Sequence, residues 1–339
     1  MRMPPRRALS DFAAAIMLGG AFAATAAEPV PAAEPAHSAA DVEEILVTGE
    51  RPGPGMWRVA KGNHVLWILA TLEPLPKELT WRSRTVEARI AESQAILAPP
   101  EVEFEVGFFR GLTLMPSLLR ARRNPDGKTL EEILPHDQYL RWLALRVKYL
   151  GRWSGRDQVR PMVAARELYT HALDASGLTE EPRVWDSVKE GARRHRVAIQ
   201  SITLKVPLEQ PRETIRQLGE ISRDAELDCL DTTMRRLEAD LQGMRQRANL
   251  WSLGDIQGLR ALPYSDQEAA CLNAVSSVPQ LRERVRDLEQ RLAQTWLAAV
   301  DHALEQDSSS IAVVPITLLL GADGYLERLR GRGYRLDEP

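Results

Sequence analysis

Two apolar runs open the patterned part of the chain, Met56 to Ala60 and His64 to Thr71, joined by Lys61-Gly62-Asn63. Apolar runs around a glycine-containing turn predict a β-hairpin. Thr80-Trp81-Arg82-Ser83 then opens a helix to about Ser93, with Thr80 or Ser83 as its cap. Ala95 to Ala98 is a short apolar strand, stopped by Pro99-Pro100 because proline donates no ladder hydrogen bond. Beyond this point the period becomes helical. Val106 to Arg122 is amphipathic with a break near Pro116. In Leu130 to Leu150, Tyr139, Trp142, Leu143, Leu145 and Tyr149 recur at helical spacing. Pro161 to Ser176, closed by Gly177, and Val184 to His195 are further helices. Val197-Ala198-Ile199 reads as a strand, and Pro211 to Arg247 as one long charged helix or a pair. Segments 255–261, 266–274 and 279–304 add more helix. Ser308-Ser309-Ser310 reads as a loop and Ile311 to Val314 as a buried strand. A helix over 325–330 and a last short strand, Tyr334-Arg335-Leu336, follow.

Strands thus gather at both ends of the patterned region and helices between them. The expected fold class is α/β (α+β): a mixed sheet of N- and C-terminal strands with a large helical middle section. The domain is expected over 56–337, with a helical insertion over about 104–303. Residues 28–55 are rich in Pro, Ala, Glu and Gly, and only Ile45-Leu46-Val47-Thr48 is strand-like, so they read as a flexible leader. Residues 1–27 follow the export pattern. Arg2, Arg6 and Arg7 precede the apolar run Phe12 to Phe22, and Ala24-Thr25-Ala26 offers small residues for cleavage near Ala26 or Ala27. The run is shorter than the roughly 20 residues that a membrane span needs. Arg6-Arg7 leaves general secretion and twin-arginine export both open. The expected location is periplasmic or secreted, with no membrane segment after cleavage.

Net charge is −3, and removing the signal leaves about −5, which gives no basic field for nucleic acid. The two cysteines, Cys229 and Cys271, form an even count. In an oxidising compartment this favours a disulfide over two buried thiols, closing a loop of about 40 residues.

No catalytic set stands out from residue types and spacing. Gly-x-Ser-x-Gly, HExxH, CxxC and phosphate-binding glycine loops are all missing, and the six histidines are scattered. Trp57, Trp67 and Trp81 read as core packing or as the wall of a cleft. His64 reads as a hairpin-surface residue or as a pocket partner of Glu73.

Three stretches carry a resemblance. Met56-Trp57-Arg58-Val59, Gly62 to Leu72, Pro74 to Lys77 and Trp81-Arg82-Ser83 resemble the start of the TraB/GumN family. Asn249-Leu250-Trp251-Ser252-Leu253-Gly254-Asp255 is similar to its Trp-x-x-Gly-Asp segment. Ile311 to Val314, Leu319 to Gly324 and Leu329 to Tyr334 are similar to its ending. The family is related to Tiki-type metalloproteases and to the erythromycin esterase and ChaN-like group. The resemblance implies a sheet with two Gly-x-x-His motifs and an acidic residue that bind a metal and activate water. This chain departs from that pattern. Ala70 and Glu73 stand at the first Gly and His, Pro315 and Leu318 at the second pair, and Ala98 at the glutamate. A further acidic position reads Ser201-Ile202-Thr203. Leucine and alanine neither ligate a metal nor move a proton, and one carboxylate does not make a site. The expectation is therefore a member of the family without its metal site, with no cofactor. It would bind an envelope protein, a peptide or a glycan. The alternative is a metal-dependent hydrolase or peptidase with a rearranged site around Glu73, His64 and a residue of the 315–323 loop. A third reading is a structural envelope protein.

Overall fold

Residues 2–3, 53–79, 84–105, 108–151, 157–262, 267–320 and 323–339 are described by a computed structural model. The expected signal and leader, except Arg2–Met3, and the capping residues Thr80 to Ser83 lie outside them.

In chain order the first elements are β1 (Arg2–Met3), β2 (Met56–Lys61), β3 (His64–Thr71), β4 (Leu75–Pro76), α1 (Arg84–Glu92), β5 (Ala95–Leu97) and β6 (Glu101–Glu105). The middle holds α2 (Phe108–Ala121), α3 (Leu130–Ile133), α4 (His136–Tyr149), α5 (Pro161–Ala175), β7 (Leu178–Thr179), α6 (Arg183–His195), β8 (Ala198–Gln200) and β9 (Thr203–Pro207). Then come α7 (Pro211–Gly219), α8 (Arg223–Ala239), α9 (Leu241–Ser252), α10 (Ile256–Ala261), α11 (Gln267–Val275) and α12 (Pro279–Gln306). The chain closes with β10 (Ser309–Pro315), α13 (Ile316–Leu319), α14 (Tyr325–Gly331) and β11 (Arg335–Asp337).

The hairpin forms as its pattern predicts, with Lys61 opposite His64 across the turn. Its two strands join the C-terminal ones in a six-stranded sheet of order β11-β2-β3-β10-β5-β8. β10 lies parallel to both β3 and β5, and β5 parallel to β8. β2 and β11 complete the sheet in antiparallel fashion. The fold is mixed α/β, with the hairpin β2–β3 and the C-terminal strands β10 and β11 in one sheet. β10 is buried along its middle, which is why Ile311 to Val314 read as a continuous apolar run.

Three local readings change. The serine run is not a loop: Ser309 and Ser310 start β10, because both neighbouring strands offer pairing partners, Val65 to Ser309 and Ala95 to Ser310. Pro116 does not break its helix, and α2 runs through it. β5 ends at Leu97, before Pro99-Pro100 as expected, and what changes is that a further strand follows the two prolines. The chain resumes as β6, and β8 resumes as β9 after Ser201-Ile202. β6 and β9 pair in parallel in a second sheet, with β1 antiparallel on the outer side of β6. Ala98 N–H donates to the Gln200 carbonyl (2.9 Å) and Glu101 N–H to that of Ile202 (2.9 Å), so the two chains stay hydrogen-bonded across the bend.

Apolar side chains collect in two large clusters. One surrounds the six-stranded sheet and includes Trp57, Leu66, Ile68, Ile96, Trp251 and Trp296. The other lies among the middle helices and includes Leu130, Trp142, Leu168, Leu230 and Met234. Helix α12, at 28 residues roughly 42 Å long, carries Leu281 in the helical cluster and Trp296 and Val300 in the sheet cluster. Cys229 of α8 and Cys271 of α11 form a disulfide within the helical part.

Candidate functional site

The four strands β3, β10, β5 and β8 run in the same direction, so their C-terminal ends face one side of the sheet. Ligands of open α/β sheets bind outside those ends, because the strand-to-helix turns leave a crevice there. A groove of about 470 Å³ occupies this place. Thr71, Leu72 and Glu73 enter it from the end of β3, Pro315 from β10, Ala98 and Pro99 from β5, and Ser201 from beyond β8. Thr71 and Pro315 are register partners, which fixes the two central strand ends side by side. The facing wall is the start of α6, with Arg183, Trp185 and Lys189. A short ladder holds the two walls together. β4 pairs with β7, and Lys77 N–H donates to the Gly177 carbonyl (2.8 Å).

The groove mixes charges. Glu73, Glu101 and Glu181 share its lining with Arg183 and Lys189. Glu101 accepts a hydrogen bond from the Thr203 hydroxyl (2.8 Å), and Lys189 pairs with Asp186 (2.7 Å). Glu73 is half-buried, and its bond to Pro74 is cis. The donor set does not fit the metal that the resemblance implies. Among the described residues, the groove's carboxylates are those three, no His or Cys lines it, and no group of three or more His, Cys, Asp and Glu converges.

The structure brings Glu73, Ala98 and Pro315 to one groove and separates the rest. Ala70 is buried just behind it, and its carbonyl accepts a hydrogen bond from the Trp251 indole (2.9 Å). Leu318 lies on α13, packed against the sheet cluster. His64 stands at the opposite end of β3, about 23 Å along the strand from Thr71. Its Nδ1 is 2.7 Å from the Asp307 carbonyl oxygen, so it is no pocket partner of Glu73. Of the 315–323 loop, Pro315 reaches the groove and residues 321–322 lie outside the described residues. Trp57 is fully buried in the core, and Trp67 lies under the Arg89 guanidinium, 4.3 Å from the ring centre. Trp81 lies outside the described residues.

Sequence reasoning missed Arg183, Trp185 and Lys189. They come from the helical middle, and no local pattern ties them to the ends of β3 and β10, more than a hundred positions away. The Trp251 bond had a signal, because Trp251 sits in the Trp-x-x-Gly-Asp stretch. There Gly254 adopts a positive φ of 74°, and a Cβ on it would stand 3.2 Å from the Gly53 carbonyl oxygen. Asp255 caps α10 by accepting from Gly258 N–H (2.7 Å). These residues anchor the segment that enters the sheet.

Comparison with curated proteins and with solved structures finds no match to this chain. The sequence pattern of the TraB/PrgY/gumN family matches residues 55–338, from just before the hairpin to just past the last strand. The chain belongs to the TraB/PrgY/gumN family.

Proposed function

We propose that this family member is exported and acts by binding through the strand-end groove, without the metal site that the resemblance implies. One observation carries the proposal. Of the motif positions, only Glu73 brings a carboxylate to the groove, while Ser201 brings a hydroxyl, Ala98 and Pro315 line it with neither and Leu318 packs elsewhere. The groove's apolar floor and its facing Arg183, Trp185 and Lys189 suit an extended ligand with both apolar and charged groups. A further envelope protein, a peptide or a glycan fits that description. Export rests on the arginine-led apolar run at residues 1–27.

The second reading is a hydrolase with a rearranged site, favoured by the presence of Glu73 in one groove with Arg183 and Lys189. One experiment separates the two. Zinc, manganese and cobalt are measured in the purified chain, and peptidase activity is assayed with and without chelator. The binding reading expects no stoichiometric metal and no chelator-sensitive activity. A tightly held metal lost on Glu73→Ala, together with chelator-sensitive peptidase activity, overturns it.

A further inference from the structure

A second concavity, of about 580 Å³, shares no residue with the groove. Three arginines, Arg120, Arg122 and Arg123, line it from the end of α2. Opposite them are Gln158 and Val159, and Glu167 of α5.

The backbone under this pocket is held tightly. Arg122 N–H donates to the Leu118 carbonyl (3.2 Å) and Arg123 N–H to that of Arg120 (3.1 Å). The two segments are then laced together, Asn124 N–H to the Gln158 carbonyl (3.0 Å) and Arg160 N–H to that of Arg122 (2.9 Å). Buried Asn124 adds side-chain bonds to the carbonyls of Lys128 (2.7 Å) and Val159 (3.2 Å). Arg122 pairs with Glu167 at 2.7 Å, which neutralises the one carboxylate in the lining. Arg120 and Arg123 are exposed, and among the described residues neither side chain has a carboxylate or hydrogen-bond partner. Arg120, in the last turn of α2, also complements the helix dipole. That does not account for Arg123, which lies beyond the helix. Leu119, 51% exposed, and Val159 supply an apolar wall.

We infer that this pocket binds a phosphoryl group borne on a larger ligand. Guanidinium forks match the oxygens of a tetrahedral anion two at a time. A braced backbone lowers the ordering cost of placing them. The cavity exceeds a lone phosphate and falls within the range of small-molecule sites. The phosphoryl source is a soluble phosphoester or a phospholipid headgroup.

The test uses the purified chain, the double variant R120Q/R123Q, and R193Q/R286Q, which removes two exposed arginines elsewhere. Binding of glycerol phosphate is followed by calorimetry, and binding of phosphatidylglycerol vesicles by flotation against phosphatidylcholine vesicles. Thermal melts check that the exposed substitutions leave the fold intact. The expected result is saturable binding of one probe, weakened about tenfold or more in R120Q/R123Q and unchanged in R193Q/R286Q. Glycerol phosphate binding assigns a soluble ligand, and vesicle binding alone assigns a lipid headgroup. The inference is overturned by absence of saturable binding to either probe, by binding that R120Q/R123Q leaves intact, or by equal loss in both variants.

Discussion

At the scale of single residues, the best-defined contact near the groove is the Trp251 indole on the Ala70 carbonyl. Trp251 is fully buried, so its ring fills volume as well as donating one bond. Trp251→Phe keeps most of the volume and loses the donor, and it should cost about 1–2 kcal/mol. Trp251→Ala also opens a cavity and should cost about 3–5 kcal/mol. Urea unfolding measures both, and a Phe variant as stable as the parent would remove the hydrogen bond from the account. Tyr334 gives a pH signature. Burial, and then the hydrogen bond it donates to Asp301 (2.6 Å), push its hydroxyl from 10 up to about 12. The folded chain thus holds this proton more tightly than the unfolded chain does. The stabilisation is full below about pH 10 and fades as pH rises towards 12. Tyr334→Phe should flatten that part of the stability profile and remove a phenol that titrates near pH 12 from an absorbance titration of tyrosinate. Residue types alone made the altered motif positions legible, because Ala98, Pro315 and Leu318 have no metal-binding chemistry in any fold. They did not show which of them share a pocket. Leu318, three positions after Pro315, is turned away by α13 into the packing around the sheet.

At the scale of elements, what was legible followed from how much one element decides by itself. The hairpin, β10 and the helix that became α5 carry their own period or turn, and sequence placed them within a residue or two. β6 and β9 do not. Glu101-Val102-Glu103-Phe104-Glu105 alternates as a strand should, but it follows two prolines, and only the partner chain makes clear that the ladder continues past them. Ser309 and Ser310 likewise become strand because β3 and β5 wait on either side. The disulfide is the element-scale feature with the clearest energetic consequence. It ties α8 to α11 across 42 positions. In the chain-entropy model a loop of that length contributes about 4 kcal/mol. Cys229 is fully buried, so Cys229→Ser also places a hydroxyl in the helical core. Reduction of the native chain is therefore the cleaner comparison. Guanidinium unfolding with and without reductant should show a loss of about 4 kcal/mol or somewhat less, since residual structure in the unfolded chain lowers the effect.

At the scale of the whole molecule, α12 joins the two clusters, and the groove lies where the sheet meets the helical middle. β3 and β10 had to be paired before the strand-end wall of the groove existed. The sequence therefore foretold the shared sheet and left the α6 wall unseen. The proposed export of the chain bears on the disulfide that holds α8 to α11. A bond of this kind persists in an oxidising compartment and is kept reduced in most cytosols. One experiment therefore tests export and the disulfide side by side. The full chain is expressed in a bacterial host, and so is a version starting at Glu28, without the arginine-led apolar run. From the full chain, the periplasmic fraction should yield a product whose mass places its first residue at Ala27 or Glu28, with no thiol reactive to a maleimide after denaturation. The shortened version should stay in the cytosol with two reactive thiols. By the disulfide's contribution, it should unfold at lower denaturant until it is oxidised. Retention of the full chain in the cytosol with its first 27 residues in place would sink the export proposal. Reactive thiols in a correctly processed periplasmic product would instead leave export standing and remove the disulfide from the exported form.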